Sequence, residues 1–83
     1  MKNSELVRDL VEKSGISKND TVLEIGAGEG VITSELLKRA GKVIAFELDK
    51  NFFDILFQKF QRNQSLDLKN EDFLNFSLPH LSI

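Results

Sequence analysis

At 83 residues the chain has room for one domain at most, since domains usually run about 100–150 residues. With 41% apolar and 29% charged residues it is not a disordered tail, and 11 Lys plus Arg against 13 Asp plus Glu leave no basic footprint of a free-standing nucleic-acid binder. It has no Cys, one His (His80), no apolar run near the roughly 18 residues that cross a bilayer and no signal-peptide core, so the expectation is a cytoplasmic domain with no membrane and no metal.

Leu6, Val7, Leu10 and Val11 recur at helical spacing and predict a helix from about Ser4 to Ser14, with Gly15 placed to cap it. A turn over Ser17-Lys18-Asn19-Asp20 leads into Thr21-Val22-Leu23-Glu24-Ile25, a β-rich run ended by Gly26. Ile32, Leu36, Leu37 and Ala40 mark a second helix, closed by Gly41. Lys42-Val43-Ile44-Ala45-Phe46-Glu47 is a second strand whose consecutive apolar residues predict cover on both faces. Phe52, Phe53, Leu56, Phe57 and Phe60 give a third helix an aromatic stripe, which reads as sheet cover rather than a cofactor box. Leu66-Asp67-Leu68-Lys69 is a weak third strand, and His80 beside Pro79 reads as a surface loop.

The order αβαβαβ predicts an α/β fold with a doubly wound parallel sheet of three strands in the order 3-2-1, flanked by helices. Strand one then lies at an edge, and the unpaired backbone of Val22 to Ile25 is expected to drive self-association.

The stretch that carries chemistry is Glu24-Ile25-Gly26-Ala27-Gly28-Glu29-Gly30, between the first strand and the second helix. Glycines there let the chain turn sharply and let a ligand approach the backbone, although a tight βα turn without a ligand uses them too. Glu47 ends the next strand 21 residues after Gly26, about where a carboxylate accepts from ribose hydroxyls. A dinucleotide fingerprint needs a glycine at the position of Val31; this chain has Gly26, Gly28 and Gly30 instead. Glu24 and Glu29 would repel a pyrophosphate. They suit S-adenosylmethionine, which has no phosphate and carries a sulfonium and an ammonium.

The segment from Val22 to Thr33 resembles the first motif of the ribosomal RNA adenine N6-methyltransferases, the family of dimethyladenosine transferases and macrolide-resistance methylases. Phe46-Glu47-Leu48-Asp49 resembles its second motif and Asn70-Glu71-Asp72-Phe73-Leu74 its third, in the family's order, over about Leu6 to Pro79. The stretch from Asp72 to Pro79 leans towards the antibiotic-resistance branch. The resemblance implies a partial Rossmann-like S-adenosylmethionine-dependent methyltransferase fold with S-adenosyl-L-methionine as cofactor. It puts Gly26, Ala27 and Gly28 in the donor-binding loop and Glu24 near the methionine ammonium. It gives Glu47 the ribose hydroxyls, Leu48 the adenine face and Asp72 the adenine amine, with the backbone N–H of Phe73 to the ring. The plain alternative for Asp72 is a turn cap.

The family's catalytic Asn-x-Pro-aromatic motif is absent from this sequence, as are its N-terminal closing segment and its RNA-gripping C-terminal domain. Residues 1–83 are therefore expected to be the truncated N-terminal half of a class I methyltransferase catalytic domain. In the family, ribosomal RNA is engaged through the missing part, with the target adenine flipped out. Alone, the fragment is expected to bind its donor more weakly than micromolar and to transfer no methyl group. Two other readings stay open: a non-catalytic nucleoside-binding module, and a structural fragment that depends on a partner chain.

Overall fold

The computed structural model describes residues 3–74. The elements follow in the order α1 (Asn3–Lys13), β1 (Thr21–Ile25), α2 (Val31–Arg39), β2 (Lys42–Phe46), α3 (Lys50–Phe60) and β3 (Leu66–Lys69). All strands are parallel, in the order β1-β2-β3, so β2 is central and β1 has a free edge among the described residues. The register runs from Thr21 opposite Lys42 to Ile25 opposite Phe46, and from Val43 opposite Leu66 to Phe46 opposite Lys69.

Side chains alternate along a strand, and register partners in a parallel pair share a face. One face therefore carries Val22, Glu24, Val43, Ala45, Leu66 and Leu68. The core lies there: Val11 of α1, Leu36 and Leu37 of α2 and Leu56 of α3 cluster with Val43 and Ala45. All three helices thus cover the same face, and the doubly wound arrangement is not found among the described residues. The reason is topological. Both crossovers, β1 to β2 and β2 to β3, step in the same direction, and right-handed crossovers then put both helices on one side. The opposite face leaves Leu23 52% and Ile25 62% exposed. On it Phe46 is fully buried, its ring met edge-on by Phe73 at 5.3 Å, so β2 is covered on both faces at that position.

The stripes also shift in detail. On α2 the buried residues are Thr33, Leu36 and Leu37, while Ile32 is exposed. On α1 Val7 and Val11 pack on the core, whereas Leu6 and Leu10 stay exposed. On α3 Leu56 is buried, Phe60 packs beside it and Phe57 is exposed. A groove of about 160 Å³ runs between Phe53, Phe57, Phe60 and β3, and no residue of the glycine loop lines it. Among the described residues no helix is long and apolar enough to cross a membrane. Residues 75–79 of the resistance-type stretch, with Pro79, and His80 lie outside the described residues.

Candidate functional site

The glycine loop leaves the C-terminal end of β1, the end of an open parallel sheet at which ligands bind. The Gly26 and Ala27 N–H groups both donate to Phe46 O, at 2.8 and 3.3 Å, so the loop wraps the end of β2 before turning into α2. Gly26 (φ +75°) and Gly28 (φ +57°) hold it in left-handed conformations, and a Cβ on Gly26 would meet nothing within 4 Å. That side of the loop is open. Gly30 (φ +88°) has a second reason: a Cβ there would stand 2.8 Å from Leu56 Cδ2 and 3.0 Å from Phe60 Cε2, so the third glycine admits α3.

Glu47 ties the loop to the end of β2. Gly28 N–H donates to its Oε1 at 2.6 Å, and Asp49 N–H donates to its Oε2 at 2.9 Å. Its own N–H donates to Lys69 O at 2.9 Å. Asn70 braces the same corner, its Nδ2 donating to Glu47 O at 2.9 Å and Leu48 O at 3.2 Å. Asp49 then caps α3, accepting from Asn51 and Phe52 N–H.

Glu24 is turned away from solvent. It is 8% exposed, on the helix-covered face, and accepts from the hydroxyl of Thr33, which is 0% exposed. Burial pushes its carboxyl above the ordinary range; the Thr33 hydrogen bond works the other way, and the nearby Glu47 carboxylate adds to the rise.

The remaining expected residues are spread around this corner. Leu48 is exposed just past β2, an apolar surface beside the loop. Ala27 turns its methyl into the core and leaves only backbone to the loop. Asp72 accepts from Leu74 N–H at Oδ1 (2.9 Å), the capping use weighed for it. Phe73 lies against Phe46. Lys59 reaches the loop from α3, donating to Glu29 O at 3.4 Å.

The sequence reading missed Thr33 and Asn70 as supports. Thr33 shares a helical face with Leu36, Leu37 and Ala40 at i, i+3, i+4 and i+7, a signal that Ile32, as apolar and one residue earlier, obscured. Together the corner offers two carboxylates, left-handed glycine backbone and an apolar shelf. That set can accept from hydroxyls, meet a cation and cover a flat ring.

The family model for ribosomal RNA adenine dimethylase matches residues 1–83. The chain belongs to the ribosomal RNA adenine dimethylase family. It is 40% identical over 79 residues to an rRNA adenine N-6-methyltransferase of Bacillus licheniformis, covering 95% of this chain and 28% of that relative. To the ribosomal RNA small subunit methyltransferase A of Levilactobacillus brevis it is 36% identical over 74 residues, 89% of this chain and 25% of that one. Among solved structures, the 23S rRNA methyltransferase ErmE superposes with a TM-score of 0.78 at 30% identity, over 89% of this chain and 30% of that one. The chain thus spans about three tenths or less of the length of these relatives. Its three parallel strands and helices form part of the Rossmann-like fold of such methyltransferases.

Proposed function

We propose that residues 1–83 are the S-adenosylmethionine-binding portion, the N-terminal half of the catalytic domain, of a cytoplasmic rRNA (adenine-N6)-methyltransferase. One observation carries this reading: the hydrogen bond from Gly28 N–H to Glu47 Oε1 joins the glycine loop to a carboxylate 19 residues away. The glycine loop and the acid that its spacing and the resemblance assign to the same ligand thereby share one corner.

The residues fit the donor. The side of the loop at Gly26 is open to an approaching ligand, and two buried carboxylates suit a cation and hydroxyls rather than a pyrophosphate. When bound, S-adenosylmethionine supplies an electrophilic methyl group. The chain's own part is to bind and orient. Each Glu47 oxygen accepts one N–H and keeps capacity for a ribose hydroxyl. Glu24 would face the ammonium, Leu48 would cover the adenine, and the Asp72 carboxylate would take its amine. Ribosomal RNA is the methyl acceptor of the whole enzyme, as the relatives' names state of those proteins.

The test is an NMR titration of the chain with S-adenosylhomocysteine up to millimolar concentrations. Amide shifts at Gly26, Gly28, Glu47 and Leu48, with an affinity weaker than micromolar, are expected. Shifts confined to the α3 groove, or none at all, overturn the reading. The chain alone is expected to transfer no labelled methyl group to rRNA, and detectable transfer would show that it is more than a donor-binding portion.

A further inference from the structure

Thr33 has no contact role in the site just proposed, yet it is completely buried and its hydroxyl is directed at a carboxylate. It occupies the third position of α2, where a threonine hydroxyl ordinarily bonds a backbone carbonyl one turn back. Here Oγ1 donates across elements to Glu24 Oε1 on β1 instead. Glu24 in turn lies two residues before the first loop glycine and within electrostatic reach of Glu47.

We propose that Thr33 is a positioning residue for donor binding: its hydroxyl fixes the Glu24 carboxylate so that it receives the cationic amine of a ligand seated on the glycine loop. The inference rests on the donor-binding reading and deepens it. A nearly buried glutamate has two ways to relieve its desolvation, taking a proton or finding partners. A protonated Glu24 offers an ammonium nothing.

The groups facing Glu24 set the sign. From β1 and β2 come burial and the Glu47 carboxylate, and both favour the protonated form. From α2 comes the Thr33 hydroxyl, which favours the charged form. Of the other charges on the packed helices, Glu35 pairs with Lys38, Glu12 of α1 with Arg39 and Lys50 of α3 with Asp54, and neither these nor Glu5, Arg8, Asp9 and Lys13 of α1 figure among the influences on Glu24. Thr33 is thus the polar contact on this residue that opposes protonation. Removing the hydroxyl raises the pH at which Glu24 discharges, and donor affinity then falls away at a higher pH than in the parent.

The experiment uses the 83-residue chain and S-adenosylhomocysteine between pH 5 and pH 7, below the range of about 7.7–8.0 in which an α-amino group loses its proton. Binding is followed at the Gly28 amide, and the Glu24 side-chain carboxyl carbon is titrated by NMR without ligand. Thr33→Val keeps the shape and removes the donor. It is expected to move the Glu24 midpoint upward and to weaken binding at least fivefold at the acid end, with the gap closing as pH rises. Thr33→Ser restores both. Glu24→Gln binds weakly with little dependence on pH, which checks the effect should Thr33→Val fold poorly. A Thr33→Val chain with the parent's midpoint, or with affinity within twofold of the parent throughout, overturns the inference and leaves the donor reading standing. If the parent itself binds no ligand while the Glu24 midpoint still moves, the donor reading has failed and this inference falls with it.

Discussion

At Glu47 a carboxylate cannot be exchanged for its amide without a donor meeting a donor. Both oxygens accept backbone N–H groups, from Gly28 and Asp49, and the residue is buried. Glu47→Gln preserves volume but turns one –NH₂ towards an N–H. The stability loss is expected to be about 1–3 kcal/mol, the usual cost of an unsatisfied buried donor, read as a lower urea midpoint. Donor affinity should fall by more than twofold beside it. Unchanged urea and ligand titrations would show that the carboxylate neither holds the loop nor meets the ribose.

Glu24 makes stability depend on pH. Its folded-state pKa is raised above the ordinary 4.5, so the folded chain holds this proton more tightly than the unfolded one. Stability from that source is fully present below about pH 4.5 and is lost as pH rises through the folded value. Glu24→Gln removes the titration. In thermal unfolding from pH 4 to pH 7 the variant should therefore gain on the parent as pH rises. A constant difference across the range would refute this.

Among the elements, α3 is held at both ends by devices that also serve the site. Asp49 Oδ1 accepts from Asn51 N–H at 2.8 Å and Phe52 N–H at 3.2 Å, while Asp49's own N–H binds Glu47. Asp49→Ala should cost about 1 kcal/mol through the lost cap, visible as a lower urea midpoint. The far half of α3 leaves no room at Gly30. A methyl there would adopt φ +88° and press on Leu56 and Phe60, both packed in the core. Gly30→Ala combines left-handed strain of about 1–2 kcal/mol with core displacement, whereas Gly15→Ala, at φ +82° in open space, carries the strain alone. Thermal unfolding should rank Gly30→Ala clearly below Gly15→Ala; equal midpoints would mean that α3 yields without loss.

For the molecule as a whole, the one-sided placement of helices governs behaviour. β1 presents an unpaired edge, and beside it Leu23 and Ile25 form an apolar face among the described residues. Edges of this kind pair with other chains. The 9.4 kDa chain is expected to self-associate as its concentration rises, by equilibrium sedimentation. The double substitution Leu23→Lys, Ile25→Glu should hold it at monomer mass, because charges on that face resist burial. A parent chain that stays at monomer mass at every concentration removes the idea.

What the sequence determined by itself is whatever local pattern enforces. Strands Thr21–Ile25 and Leu66–Lys69 were legible to the residue, the first because Gly26 ends a β-rich run, the second, more weakly, because Leu66 and Leu68 alternate with polar residues. The glycine loop and Glu47 were legible as separate signals, since each has its own composition and spacing. Their union through Gly28 N–H was not, because a hydrogen bond across 19 residues depends on where β2 comes to lie. The face taken by the helices was likewise undecidable from apolar spacing. Ile32 looks as apolar as Leu36, yet the crossover to β2 turns α2 so that Thr33 meets the core and Ile32 meets solvent. Spacing reports which residues share a helix face. Only the packed tertiary structure decides which face is buried, and so which carboxylate is left to be held by a hydroxyl.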